Sequence, residues 1–304
     1  MGLRAINNPK SSFEDPYLST GLKAASDYST FYKDPDAASL LMALSFDNND
    51  SDVQNTIRTY AQVGNGTLIT VDKGSAASYN SANEKFPFYD YCGYSGDNWD
   101  NGYWYCTSGN SPAWLKRLEI PFTIQFWIKV VNFNEVWPGQ WHGTAGNCNE
   151  PASGRSGWLM RFGYDGDGDG LDIKGYSSGD SATAIRAQFA DNSMTNPMTT
   201  GAWHHVAFSV PGNSTASRIV FDGTHMTTMA TDGWSSRSDG YICDDTVSTN
   251  TYLFGRGNEF AYDGRKDLID AYVQDYKWYS TARTVANIQA DYNRGKAMLN
   301  PEPS

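Results

Sequence analysis

The sequence predicts an all-β fold, an antiparallel sandwich, and three observations predict it. Several segments alternate apolar and polar residues with the period of two that a half-buried strand requires. The 304 residues are 14% aromatic and include 29 glycines, a composition suited to strands joined by many turns. Asp222-Gly223, a tight-turn dipeptide, falls between two of the alternating segments. The length suits one large sandwich with extensions, or two small domains.

Residues 1–38 precede this region and differ from it. They are polar, are broken by Pro9, Pro16 and Pro35, and yet carry Phe13, Tyr17, Tyr28, Phe31 and Tyr32. Aromatic residues scattered through a segment without periodicity predict an extended arm that orders on a neighbour's surface. The sandwich is expected over 39–295, with a tail at 296–304. Leu40, Met42, Leu44 and Phe46 open it as a central strand, and an acidic turn follows at 47–52. Residues 80–116 are expected to be an insertion, since they are crowded with Tyr, Trp, Gly and Asn and lack the period of two. Phe122, Ile124, Phe126 and Ile128 then face one way, and Thr123, Gln125, Trp127 and Lys129 the other. A second insertion is expected over 132–157.

Further strands are expected at 158–162, 171–174 and 184–189. His204, Val206, Phe208 and Val210 next alternate with Trp203, His205, Ala207 and Ser209. Arg218–Phe221 and Met226–Met229 flank the Asp222-Gly223 turn, and the last strand is expected over 267–278. Thr284 can cap a short helix that carries Val285, Ile288 and Tyr292 on one side, and Gly295 can end it.

Four stretches carry a resemblance to a known family. They are Phe122-Thr123-Ile124-Gln125-Phe126-Trp127-Ile128, Trp203-His204-His205-Val206-Ala207-Phe208, Ile219-Val220-Phe221-Asp222-Gly223, and Leu268-Ile269-Asp270 running on to Tyr276-Lys277-Trp278-Tyr279. In this order they resemble laminin-G-like domains of the concanavalin A-like lectin class. Phe46-Asp47 before an acidic turn, and a short helix after the last strand, extend the likeness. The resemblance implies a jelly-roll sandwich and a role in binding, often of glycans, usually without catalysis. The arm has its own resemblance. Ile6 to Phe13 and Asp15 to Gly21 are similar to leader segments of structural proteins in marine tailed phages, which implies a virion component.

The residues that can carry chemistry are few. Hydrolases of this sandwich class present several carboxylates on one strand face in the pattern Glu-x-Asp-x-x-Glu, and that pattern is missing here. His204 and His205 are adjacent on one strand and point to opposite faces, so they suit structural places better than one shared metal. Asp165, Asp167 and Asp169, each followed by Gly, match the first half of a calcium loop, in which hard oxygen ligands gather on a bend. Tyr176 stands where such a loop needs its bidentate Glu, and the same residues would serve a hairpin turn.

The best candidate surface is aromatic. Tyr91, Trp99, Tyr103, Trp104 and Tyr105 lie among Gly, Asn and Asp. Rings stack on the C–H faces of sugars while amides and carboxylates meet the hydroxyls. The same composition also serves a protein contact or a loop packed on its own rings.

The net charge of −11 disfavours nucleic acid and anionic lipid, whose binding rests on Lys and Arg. No run approaches the ~20 apolar residues of a bilayer span, and the first ten residues lack the apolar core of a secretory signal. Cys92, Cys106, Cys148 and Cys243 have no C-x-x-C spacing; Cys92–Cys106 with Cys148–Cys243 is the expected pairing, and four buried thiols the alternative. Paired cysteines would mean a life outside a reducing cytosol, reached as part of a released particle.

The expected function is therefore non-catalytic: a capsid decoration protein or tail-associated adhesin of a phage particle. Its arm would join other virion proteins, its lectin-like domain would meet host glycans, and copies of the chain can associate. A free-standing lectin and a polysaccharide-cleaving enzyme are the alternatives.

Overall fold

Two antiparallel sheets stack face to face. In this computed structural model the described residues are 36–44, 57–59, 69–73, 78–80, 92–95, 103–132, 141–148, 156–163, 170–176, 182–188, 200–212, 217–226, 229–232, 240–243, 250–255 and 269–299. The strands are β1 (Leu40–Leu44), β2 (Ile57–Thr59), β3 (Ile69–Lys73), β4 (Ser78–Asn80), β5 (Cys92–Tyr94), β6 (Trp104–Cys106), β7 (Phe122–Asn132), β8 (Trp141–Gly146), β9 (Gly157–Gly163), β10 (Gly170–Tyr176), β11 (Ala182–Gln188), β12 (Trp203–Val210), β13 (Arg218–Phe221), β14 (Thr224–His225), β15 (Met229–Asp232), β16 (Thr251–Phe254) and β17 (Asp270–Tyr279). A short helix α1 (Ala113–Arg117) and a longer one, α2 (Val285–Leu299), complete the described elements. The first sheet runs β14-β13-β12-β7-β17-β5-β4, with β1 also paired to β17. The second runs β15-β11-β10-β9-β8-β16-β6-β3-β2.

Alternation decides what lies between the sheets. Phe122, Ile124, Phe126, Ile128 and Val130 of β7 join Val206, Phe208 and Val210 of β12 in one buried cluster. Trp158, Met160 and Phe162 of β9 and Leu171 and Ile173 of β10 meet them from the opposite sheet. Burying such side chains contributes roughly 1.5–3 kcal/mol each. The stretch expected as a first insertion supplies β5 to one sheet and β6 to the other, and β8, inside the second, pairs with β9.

The Asp222-Gly223 turn joins β13 to β14. Both residues have positive φ, 46° and 73°, the backbone that a two-residue hairpin of primed type demands. The Asp222 carboxylate accepts the backbone N–H of His205 and the Nδ1–H of His204, each at 2.8 Å. The two histidines therefore hold the turn against β12. His204 also stacks on Phe221, with centroids 5.1 Å apart.

Helix α2 lies across the outer face of the first sheet. Thr284 caps it, its Oγ1 accepting the Asn287 N–H at 3.2 Å. Ile288 packs with Ala207 and Val220, and Tyr292 stacks on Trp127 (5.7 Å, 17°). Gly295 does not end the helix, which continues to Leu299. It is buried where the helix rests on Trp127, and a Cβ there would stand 2.4 Å from the indole. Close approach, not termination, explains this glycine.

Cys106, Cys148 and Cys243 are buried thiols, so the pairing of Cys148 with Cys243 is replaced by packing. The Cys243 thiol donates to the Gly157 carbonyl at 3.1 Å. No helix among the described residues is long and apolar enough to cross a membrane.

Candidate aromatic binding surface

Strand β6 is three residues long, yet its alternation places four side chains. Trp104 and Cys106 point into the core, and both are 0% exposed. Tyr103 and Tyr105 belong to the other face and are half-buried. In the neighbouring strand β16, Tyr252 stands directly opposite Tyr105, while Leu253 joins the core.

Tyr103 packs edge to face on both Tyr105 and Tyr252, which are tilted against each other. Tyr103 meets Tyr252 at 5.0 Å and 81°, and Tyr105 at 5.4 Å and 69°; Tyr105 lies 6.1 Å from Tyr252. Such T-shaped pairs contribute about 0.5–1.5 kcal/mol beyond area burial. Tyr252, 2% exposed, is the base on which the other two sit.

Polar groups adjoin the rings. The chain leaves β6 through a turn in which Asn110 and Ser111 donate backbone N–H groups to the Thr107 carbonyl, both at 2.9 Å. The Ser108 N–H donates to Asn250 Oδ1 at 3.2 Å, which ties this turn to the start of β16. Asn110 is exposed at its tip. Helix α1 follows and is anchored below, where Trp158 Nε1–H donates to the Leu115 carbonyl at 2.8 Å.

Of the five aromatic residues proposed from sequence, the structure brings Tyr103 and Tyr105 together on one surface. Trp104 is a correction: it is a core residue, enclosed between the sheets by the strand alternation that exposes its neighbours. Tyr91 and Trp99 lie outside the described residues. Tyr252 was missed, because only sheet pairing brings it across 147 positions from Tyr105. Asp165, Asp167 and Asp169 also lie outside the described residues, in the six-residue connection between β9 and β10. Among the described residues no group of three or more His, Cys, Asp or Glu side chains is placed to hold a metal ion.

Two buried carboxylates of the sandwich, Asp172 and Asp291, are held in ion pairs. Asp172, with a fully buried carboxylate, receives Arg161 through Nε at 2.9 Å and Nη2 at 2.5 Å, with Lys174 Nζ at 3.6 Å. Asp291 receives Gln125 Nε2 at 2.7 Å and Arg283 Nη1 at 2.5 Å, and pairs with Arg294 as well. Burial pushes the Asp291 carboxyl up, but Lys277, Arg283 and Arg294 outweigh it and hold the group well below the usual carboxylate range. These are the marks of ion pairs that fix a fold.

The fold is a concanavalin A-like sandwich. Residues 100–289 match the Laminin_G_3 family, the concanavalin A-like lectin/glucanases superfamily, and the chain belongs to it. No curated protein is detectably similar. Among solved structures, the chain is similar to the botulinum neurotoxin serotype C1 binding domain (17% identity, TM-score 0.54, 84% of this chain and 52% of that one). It is also similar to the binding domain of Paraclostridial Mosquitocidal Protein 1 (14%, 0.51, 84% and 52%). A third similar structure (17%, 0.54, 84% and 51%) concerns botulinum neurotoxin type C, whose cell entry depends upon interaction with two ganglioside molecules. At these identities the likeness is one of fold, and the chain spans about half the length of those it matches.

Proposed function

We propose that this chain is a non-catalytic recognition protein that contacts glycans through the exposed parts of Tyr103 and Tyr105. The observation that carries this reading is the trio itself: two half-buried rings, fixed in orientation by a third beneath them, beside a turn rich in hydrogen-bonding groups. A ring already held by packing loses little entropy when a sugar stacks on it. The family supports it, since lectins are among its members, and so does the ganglioside dependence of a toxin of the same fold.

The setting proposed for this activity is a tailed-phage particle, with the chain as a capsid decoration protein or tail-associated adhesin. The support is the composition of the first 38 residues and their likeness to phage leader segments. Two experiments test the two halves. On a glycan array, the full chain should bind a defined set of sugars, and Tyr103→Ala with Tyr105→Ala should abolish the signal. An array without binding, or one that the double variant leaves unchanged, contradicts the glycan reading. For the particle, a chain lacking residues 1–35 but keeping Asp36 should fold and fail to join the assembly; normal incorporation refutes the anchor.

A further inference from the structure

We propose that helix α2 is an acid-released latch: protonation of His205 lifts residues 292–299 from the first sheet and uncovers Trp127, while the sandwich beneath stays folded. The device is independent of the tyrosine trio, which lies on the other sheet.

The latch closes over one imidazole. His205 lies on the outer face of β12 and is 1% exposed. Its ring centroid is 5.2 Å from that of Trp127 on β7 and 6.2 Å from that of Tyr292 on α2. His205 Nδ1 is buried and has no hydrogen-bond partner among the described residues. A neutral ring tolerates this better than an imidazolium, in which both nitrogens must donate.

The charged groups around the ring are already engaged. On α2, Asp291 Oδ2 accepts from Gln125 and Arg283, and its Oδ1 accepts from Arg294; Lys296 Nζ lies 5.5 Å from the Tyr292 centroid. At the hairpin turn, Asp222 Oδ1 accepts the His205 N–H, and Oδ2 accepts from His204. Strand β17 brings Lys277, paired with Asp275, and the segment before α2 brings Arg283. Strand β7 meets the ring with the uncharged Trp127. A second positive charge is therefore unwelcome here. Burial holds the imidazole down at about 4, with Asp291 opposing and Lys277 adding to the effect.

The helix yields before the strand does. Strand β12 is paired with β7 along its length and with β13 from Val206 to Ser209. Helix α2 is attached through side chains, and Gln289, Ala290, Asn293 and Lys296 on its far side are exposed. Its beginning is tied down by Asn287 on Asp36 and by Ile288 on Ala207 and Val220. Past Asp291, Tyr292 and Gly295 rest on Trp127, the ring that also encloses His205. Lifting this part hydrates the imidazole and breaks no sheet pairing. Two turns of helix off the sheet do not hold by themselves, so they fray.

Hydrogen exchange on the full chain, corrected for intrinsic rates, tests the latch. The amides of residues 293–296 should be much less protected than those of β7 and β12, and indifferent to low urea, the mark of local opening. Their opening should rise about thirtyfold from pH 7.5 to pH 5, because the lifted ring takes up its proton near 6.5 and the closed one near 4. His205→Gln and His205→Phe, which take no proton, should lose this rise; the comparison within the parent stands by itself if a variant does not fold. Exchange of these amides only together with β7, no change between the two pH values, or a rise that persists in a folded variant overturns the proposal.

Discussion

Arg283 donates from Nε to Asp36 Oδ2 at 2.7 Å, although 247 positions separate the two residues. The bond joins the start of the sandwich to its C-terminal helix. Asn287 of α2 donates to the same oxygen at 2.7 Å, and the Ser280 N–H donates to the Ser39 carbonyl at 2.8 Å. Beneath them the Arg283 guanidinium is fully buried. It also donates to Gln125 Oε1 at 2.8 Å and lies 4.5 Å from the centroid of Tyr279.

Asp36→Ala is expected to destabilise the chain by about 2 kcal/mol, because a buried cation loses an acceptor. Arg283→Ala is expected to cost more, about 3–5 kcal/mol, since it leaves Asp291 buried with one cation fewer. Urea denaturation checks both: the midpoint should fall in that order while the slope stays constant.

The pH dependence follows from His205. Its ring is buried between Trp127 and Tyr292, and burial pushes the imidazole down to about 4, with Asp291 opposing. In the unfolded chain the group titrates near 6.5. The unfolded state then binds more protons between these values. Stability should be full above the upper one and fall by about 3 kcal/mol as pH drops to the lower. His205→Gln should flatten the curve across that window. The depressed carboxyl of Asp291 acts differently: its stabilisation is present above the ordinary carboxylate range and is lost only in stronger acid. Asp291→Asn should therefore lower stability across the neutral range.

Gly295→Ala offers a test with an inverted sign. In an exposed helix this change stabilises by up to about 1 kcal/mol. Here the new methyl would enter the Trp127 ring, so a loss of about 1–3 kcal/mol is expected. Trp127 fluorescence should shift if α2 lifts from the sheet.

Much of this fold is legible in the sequence, because its central strands are long and strictly alternating. Phe122 to Ile128 and Trp203 to Val210 each declare an inner and an outer face, and Asp222-Gly223 declares the hairpin beside them. The site was less legible, for two physical reasons. Strand β6 is too short to show its period, so Trp104 passed for a surface ring when it is core. Tyr252 acquires its meaning only from pairing with Tyr105, which no local pattern encodes. Gly295 misled in another way: a glycine near a helix end suggests a stop, while a glycine pressed against Trp127 permits contact.

Saturation-transfer NMR on the full chain, with the glycans that score on the array, tests the central claim most directly. The account predicts transfer to sugar protons, its loss in Tyr103→Ala with Tyr105→Ala, and no new reducing-end signals over prolonged incubation. Anomeric signals that grow with time, or transfer that persists undiminished in the double variant, would contradict it.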